Sequence, residues 1–439
     1  MSRWHLVCRV VCLVVWGLAI RPWTVLAQQT LTLEMAIQEA RTHNPDLKAR
    51  QEKVGIAVGE RKTAALLFPF NPQVEFEKTS DRYYARQGEG GYSLALSQEI
   101  EIAGQRWRRL RVAQAEVERA QAEAQDFERR LIADVREAFY RLLFSQRRAE
   151  TMKVIADLNG QLADASRQRF GAGDISEMDY NLVLIERTRT EAEQALAESQ
   201  AQGALGEMNR LLGRPIDVLT VTAETREEPV TVPDLETLKA TALRVRPDLK
   251  ALEAGVRAAQ GGVSVARAGL VPNPVFSLSY RVEKTLFAGE DILGDPAVTR
   301  GITSIRDRDR LLTARVSASL PLFNRNQGQT YAARAAKRTI EAELESLRQA
   351  VAVEVTVAYR RLQSARQALM LFREIAPRLE ENATLVIRAY RAGETSLATL
   401  LVEQDRISRT RLTYLDALIE YESALTALER AVGEPISKP

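Results

Sequence analysis

Covalent chemistry at neutral pH needs groups that shuttle protons, bind metal or attack a carbonyl, and this sequence supplies few. Its two histidines are His5 and His43, and its two cysteines are Cys8 and Cys12. Three of these four lie in the first 27 residues, so beyond them His43 stands alone. One imidazole cannot build a histidine-based triad or zinc site. Without thiolates, the chain cannot hold soft metals tightly. If it moves metal, it is a conduit and not a selector. No Gly-rich phosphate loop is present. His43 precedes Asn44-Pro45, where a helix is expected to break, and a capping or surface role suits it. Asn382-Ala383-Thr384 has glycosylation spacing but falls in an expected helix. The sequence therefore predicts no catalytic, cofactor or metal site, and a protein that is not an enzyme.

The residues with a distinctive pattern are those of a polar stretch that occurs twice. The first copy is Phe170-Gly171-Ala172-Gly173-Asp174-Ile175-Ser176, and the second is Tyr390-Arg391-Ala392-Gly393-Glu394-Thr395-Ser396. Glycine accepts positive φ and ends a helix at little cost. Asp174, Ser176, Thr395 and Ser396 are suited to cap the helix that follows. Each copy sits between long Ala-, Glu- and Arg-rich segments, so each reads as the tip of an antiparallel helical hairpin.

The elements carrying the tips are duplicated too. Asn44-Pro45-Asp46-Leu47 returns as Arg246-Pro247-Asp248-Leu249, and Pro69-Phe70-Asn71-Pro72 as Val271-Pro272-Asn273-Pro274. Ala138-Phe139-Tyr140-Arg141-Leu142 returns as Ala358-Tyr359-Arg360-Arg361-Leu362, and Leu212-Gly213-Arg214-Pro215-Ile216 as Val432-Gly433-Glu434-Pro435-Ile436. Four matches in one order indicate an internal repeat. Each half reads as a helix (roughly 33–67 and 235–270), a strand pair, a very long helix, the tip and a shorter helix. Residues 214–234 read as a linker or small satellite region. We therefore divide the chain into 1–27, 28–234 (first repeat) and 235–439 (second repeat).

The long helix of the first half spans roughly Gln105 to Phe170. Apolar and small residues at Leu110, Ala113, Val117, Ala120, Ala124, Phe127, Leu131, Val135, Ala138 and Leu142 alternate by three and four, as in a coiled-coil seam. At 1.5 Å per residue it is about 100 Å long, and two flanking helices of about 50 Å match it end to end. A rod is expected, with a continuous helix beside two stacked shorter ones and a kink at Pro377 in the second half. A bundle of shorter helices is the plainer alternative.

Residues 1–27 read as a secretory signal, with Arg3 and Arg9, the apolar run Val10 to Ile20, and Val25-Leu26-Ala27 at the cleavage site. The run is about 11 residues, short of the ~20 a spanning helix needs. No lipid anchor is expected at either cysteine. Loss of Arg3, Arg9 and Arg21 brings the formal charge from +3 to 0, which does not suggest nucleic-acid binding.

Four segments alternate with period two: Gln73–Glu77, Tyr92–Ser97, Phe276–Val282 and Arg315–Leu320. They suit either a half-buried soluble sheet or a membrane barrel. A lone hairpin is barely stable in water. Four strands cannot close a barrel, and unclosed strands in lipid leave unpaired backbone groups. Several chains must then pool their strands: two give eight, three give twelve. Residues 81–91 and 283–312 read as polar outer loops.

With these features the chain resembles the outer-membrane factor family of tripartite efflux and secretion systems, the TolC-like proteins. The resemblance rests on the paired Pro-Asp-Leu motifs, the Pro-x-Asn-Pro junctions, both tips and the run Leu96-Ser97-Gln98-Glu99-Ile100-Glu101-Ile102-Ala103-Gly104-Gln105-Arg106, and it covers about 31 to 436. It implies a fold class that is mainly α with a small β part. Duplicated antiparallel helical hairpins would form an α-barrel tunnel, and the four strands would join a trimeric 12-stranded transmembrane β-barrel in outer-membrane lipid. It implies a homotrimer in the outer membrane of a Gram-negative bacterium, extending into the periplasm. There it would meet a periplasmic adaptor (membrane fusion protein) and an inner-membrane transporter. Gln98-Glu99-Ile100-Glu101 is most similar to partners of heavy-metal pumps of the resistance-nodulation-division (RND) class, although those more often have Gly and Lys at positions 103 and 105. The expected function is the exit duct for heavy-metal or multidrug efflux. The alternatives are type I protein secretion or an exported structural coiled coil without a pore. On this resemblance Gly173, Asp174, Ile175, Ser176, Gly393, Glu394, Thr395 and Ser396 are expected to dock the adaptor. Asp179 is expected at the aperture, with Glu403 as a weaker second. Three copies of one carboxylate near an axis repel each other and favour cations.

Overall fold

The computed structural model describes residues 30–81, 89–215, 220–221, 230–287 and 305–436. The expected signal segment, most of loop 81–91 and much of 283–312 lie outside the described residues. The elements in chain order are β1 (Thr30–Leu31), α1 (Leu33–His43), α2 (Pro45–Ala64), β2 (Gln73–Ser80), β3 (Gly90–Glu99), α3 (Gln105–Ala172) and α4 (Glu177–Leu212). There follow β4 (Thr220–Val221), α5 (Leu235–Val245), α6 (Pro247–Ala268), β5 (Val275–Phe287), β6 (Ile305–Ser317), α7 (Gln327–Arg391) and α8 (Leu397–Val432). The order helix, helix, strand, strand, long helix, helix runs twice.

The single opening helix expected in each half is two helices. Pro45 and Pro247 each occupy the first turn of a new helix, where the missing N–H costs nothing. Asn44 caps α2 by accepting from the Leu47 N–H at 3.0 Å, and its amide donates to the Leu211 carbonyl at 2.9 Å. His43 is exposed and its ring Nδ1 meets the Thr42 hydroxyl at 2.8 Å. The C-terminus of α4 thus abuts the α1–α2 joint, and the shorter helices stack along α3. Gly213 makes this contact with φ 71°, and a Cβ there would lie 2.7 Å from the His43 carbonyl oxygen.

The second half makes the same joint with different chemistry. Arg246 replaces Asn44. Its buried guanidinium donates to the Ala431 carbonyl at 2.8 Å and pairs with Asp248 and Glu354 at 2.7 Å each. Gly433, with φ 94°, faces the Arg246 side chain. Both joints lie over the apolar core. Phe139, Leu142, Met208 and Leu212 fill one cluster, and Phe144, Val351, Val355 and Leu428 another. Each such side chain contributes about 1.5–3 kcal/mol by leaving water.

The 68-residue α3 and the 65-residue α7 run without a break, through Gly160 in the first and Pro377 in the second. The coiled-coil seam is buried at Val117, Leu131, Val135, Ala138 and Leu142. Leu110, Ala113, Ala120, Ala124 and Phe127 stay half exposed. Along that stretch α3 has neighbours on both flanks, α2 and α6, so its contacts are split between two sides. The segment expected to be a linker contributes Thr220–Val221, which pairs in parallel with Thr30–Leu31.

The strands form one antiparallel sheet in the order β2-β3-β5-β6. The third and fourth are longer than expected, because residues 283–287 and 305–312, expected in an outer loop, are paired strand. The fourth ends at Ser317, short of Leu320. Below the sheet, Gln105 accepts from the Ala103 N–H at 2.7 Å and donates to Asn273 at 2.8 Å, which in turn donates to Glu99 at 2.8 Å. Gln327 repeats the first of these contacts by accepting from the Arg325 N–H at 2.7 Å. Gln105 is thus a strap between β3, α3 and the Pro-Asn-Pro junction of the other half.

Candidate functional site

The molecule has two ends, with the helical tips at one and the sheet at the other. At the first tip Gly173 has φ 79°, its N–H donates to the Phe170 carbonyl at 3.0 Å, and the Asp174 N–H donates to the Arg169 carbonyl at 2.9 Å. At the second, Gly393 has φ 74°, its N–H donates to the Tyr390 carbonyl at 3.1 Å and the Glu394 N–H to the Ala389 carbonyl at 2.9 Å. Both are helix ends closed by a left-handed residue that satisfies the last carbonyls. Ser176 then caps α4 and Ser396 caps α8, accepting from Asp179 N–H at 3.1 Å and Thr399 N–H at 3.2 Å.

Gly173, Asp174, Ser176, Gly393, Glu394 and Ser396 are exposed, whereas Ile175 and Thr395 are half-buried. Asp179 is half-buried in the first turn of α4, where its carboxylate accepts the Ser176 hydroxyl at 2.7 Å. It thus holds in place the same hydroxyl that caps the helix. The corresponding place in α8 is held by Thr399, whose hydroxyl meets that of Ser396 at 2.9 Å. Glu403 lies half-buried one turn further along.

The two hairpins are packed side by side near their tips. Ala163 and Val183 of the first meet Leu397 and Leu400 of the second in a small apolar cluster. Arg169 donates to the Tyr390 hydroxyl at 2.9 Å, and Phe170 stacks on Tyr180 at 5.2 Å. Deeper in, Arg189 bonds Glu186 and Glu193 on its own helix at 2.6 Å and Asp405 of the other hairpin at 2.8 Å. The hydrogen bonds it donates to Glu186 hold its guanidinium pKa well above the usual arginine value. The sequence reading missed Arg189. Its carboxylate neighbours three residues before and four after were the available signal.

At the other end the register sorts the sheet into two faces. On one, Val74, Leu96, Leu278 and Ala314 form a rung, and Phe76, Leu94, Tyr280 and Leu312 the next. On the other, the corresponding rungs are Gln73, Ser97, Ser277, Arg315 and Glu75, Ala95, Ser279, Thr313. Most of the apolar face is uncovered, with Val74, Phe76 and Leu312 each about two-thirds exposed (70%, 66% and 71%), while Val282 near its outer end is buried. Among the described residues β2 and β6 are each paired on one side only. No described helix is long and apolar enough to cross a membrane. An uncovered apolar face on a sheet with two open edges calls for an apolar cover against the face and further strands against the edges.

The chain is similar to known proteins. The cobalt-zinc-cadmium resistance protein CzcC of Cupriavidus metallidurans is 24% identical over 404 residues, covering 92% of this chain and 90% of that protein. The pyoverdine export outer membrane protein OpmQ of Pseudomonas putida is 25% identical over 433 residues, covering 90% and 85%. The crystal structure of CusC, described with its transmembrane channel formation, superposes with a TM-score of 0.73 over 92% of each chain at 16% identity, and so shares the fold. The sequence pattern of the outer membrane efflux proteins matches residues 36–214 and 238–434, each match spanning one run of the duplicated elements. With hairpins at one end and an apolar, open-edged sheet at the other, the chain belongs to the outer membrane efflux protein family.

Proposed function

We propose that this outer-membrane efflux channel works as a homotrimer. Three four-stranded sheets would close into a 12-stranded barrel, and the helices would form a tunnel through the periplasm of a Gram-negative bacterium. The observation that carries this reading is the open-edged sheet with one mostly uncovered apolar face. Lipid and further strands would meet what such a sheet calls for. Strands β2 and β6 run in opposite directions across a four-stranded antiparallel sheet, so β6 of one copy meets β2 of the next in antiparallel pairing. Residues 1–27 would direct export, and 28–234 and 235–439 would be the two repeats of each subunit.

The tips Gly173–Ser176 and Gly393–Ser396 are proposed as the docking surface for a periplasmic adaptor, which links the channel to an inner-membrane RND pump. Asp179, with Glu403 behind it, would sit near the aperture. The cargo class we favour is divalent heavy metal, by likeness to the cobalt-zinc-cadmium resistance protein. In this role the chain is a duct and catalyses nothing. The test is fractionation with detergent extraction. We expect the protein in outer membranes, migrating as a trimer that heating converts to monomer. A soluble monomer would end the proposal. Single cysteines at the eight tip positions are expected to cross-link to the adaptor, and no cross-link above background at any of them removes the docking assignment.

A further inference from the structure

The upper part of the sheet carries a charge pattern that a channel wall does not need. Strand β6 begins Ile305-Arg306-Asp307-Arg308-Asp309-Arg310. Alternation sends the aspartates to the polar face. Position 310 falls on the apolar face, on the rung of Lys78, Tyr92 and Val282. The next rung outward holds Ser80, Gly90, Lys284 and Arg308. Lys78, Lys284, Arg308 and Arg310 are all exposed. They lie at the end of the sheet away from the helices, about 20–27 Å along the strands from the rung of Phe276 and Val316, at about 6.7 Å for every two residues.

Lys284 and Arg308 are directly opposite each other on paired strands. Like charges there are destabilising unless an anion lies between them. Among the described residues neither side chain has an ion-pair partner, while the acidic side chains of this region, such as Glu283 and Asp309, point to the other face. We infer that these four cations form a binding site for the phosphate groups of the outer-leaflet glycolipid of a Gram-negative outer membrane, lipid A. The inference rests on the barrel reading above, which turns this face to lipid and this end outward. A phosphate monoester carries more than one negative charge and several acceptor oxygens, and bridges lysine and arginine at once.

The experiment uses the full-length channel in phosphatidylethanolamine vesicles containing bis-phosphorylated lipid A, lipid A stripped of phosphate, or no lipid A with added inorganic phosphate. The readouts are lipid A retained per trimer after detergent extraction and the temperature of trimer dissociation. The wild type should retain the phosphorylated lipid and dissociate at higher temperature with it than with the stripped form. Lys284→Gln with Arg308→Gln should retain at least about tenfold less. Arg281→Gln with Arg315→Gln removes two cations from the opposite face and should behave as wild type. Single changes Lys284→Gln and Arg310→Gln provide milder variants, each losing part of the retention while keeping the heat-modifiable trimer. Equal retention of stripped lipid A, full retention by the double variant, or the same thermal shift with inorganic phosphate would each overturn the lipid assignment. A heat-modifiable trimer without lipid A preference ends this inference alone, whereas absence of a trimer ends the barrel reading as well.

Discussion

At the scale of single residues, two glycines of like conformation have unlike jobs. Gly173 at the tip and Gly213 at the joint have φ of 79° and 71°. Nothing lies within 4 Å of a Cβ at Gly173, whereas one at Gly213 would strike the His43 carbonyl. Gly173→Ala should cost about 1 kcal/mol, the left-handed backbone alone. Gly213→Ala adds a clash with main chain and should cost about 2–4 kcal/mol. Thermal unfolding of the purified channel compares them; equal costs would show that the joint relaxes. Arg246 gives a second contrast. Arg246→Met leaves the half-buried Asp248 without its ion-pair partner and should cost about 3 kcal/mol. Arg246→Asn should cost less, since Asn44 shows that the shorter side chain both caps the helix and reaches the facing carbonyl. Burial pushes the Asp248 carboxyl up, but Arg246 outweighs this and holds it below the usual aspartate range. Its stabilisation is therefore present above about pH 4 and lost as pH falls through the lower folded value. Without Arg246, only Arg129 and the Leu249 N–H still oppose burial, so this stabilisation should shrink. A pH series of melting temperatures for wild type and Arg246→Met reads this directly.

At the scale of elements, the sheet's two faces make opposite demands. Tyr280→Arg puts a charge in the middle of the apolar face and should destabilise the inserted channel by about 2–4 kcal/mol. Ser279→Arg, one residue away on the polar face, should cost under about 1 kcal/mol. Heat-modifiable trimer yield from outer membranes distinguishes them, and equal loss would mean that neither face is against lipid. This alternation was legible in the sequence because period two survives in any sheet. So were the long helices, whose seams repeat over many turns. The break at Asn44 was half legible: proline marked it, but the stacking of Leu211 over it joins residues 167 positions apart. The start of β6 was missed because Arg-Asp-Arg-Asp-Arg reads as a loop by composition, and only pairing with β5 shows that its alternation is also strand-like. At the tips, glycines and serines announced the turns. Arg189 was not recognised, because its meaning depends on Asp405 of the other hairpin.

At the scale of the whole molecule, the two hairpins must end level. The tips share a cluster in which Ala163 and Val183 meet Leu397 and Leu400, and Arg169 reaches Tyr390 across the gap. This alignment follows from length: α3 has 68 residues and α7 has 65, and each is followed by a helix of 36. Deleting one heptad from each arm of the first hairpin keeps its own seam in register and shortens it by about 10 Å. The core above the deletion is untouched, so the trimer should form and melt within a few degrees of wild type. The tips, however, would be staggered by two turns, and a partner that contacts both would lose half its surface. Efflux should fall close to that of a strain lacking the channel. Deleting the same heptad from both hairpins restores the level end and should recover part of the activity, provided the adaptor follows the shorter rod. If the one-sided deletion pumps as well as wild type, the paired tips are not the docking surface, and the match in length between the two halves serves the tunnel wall alone.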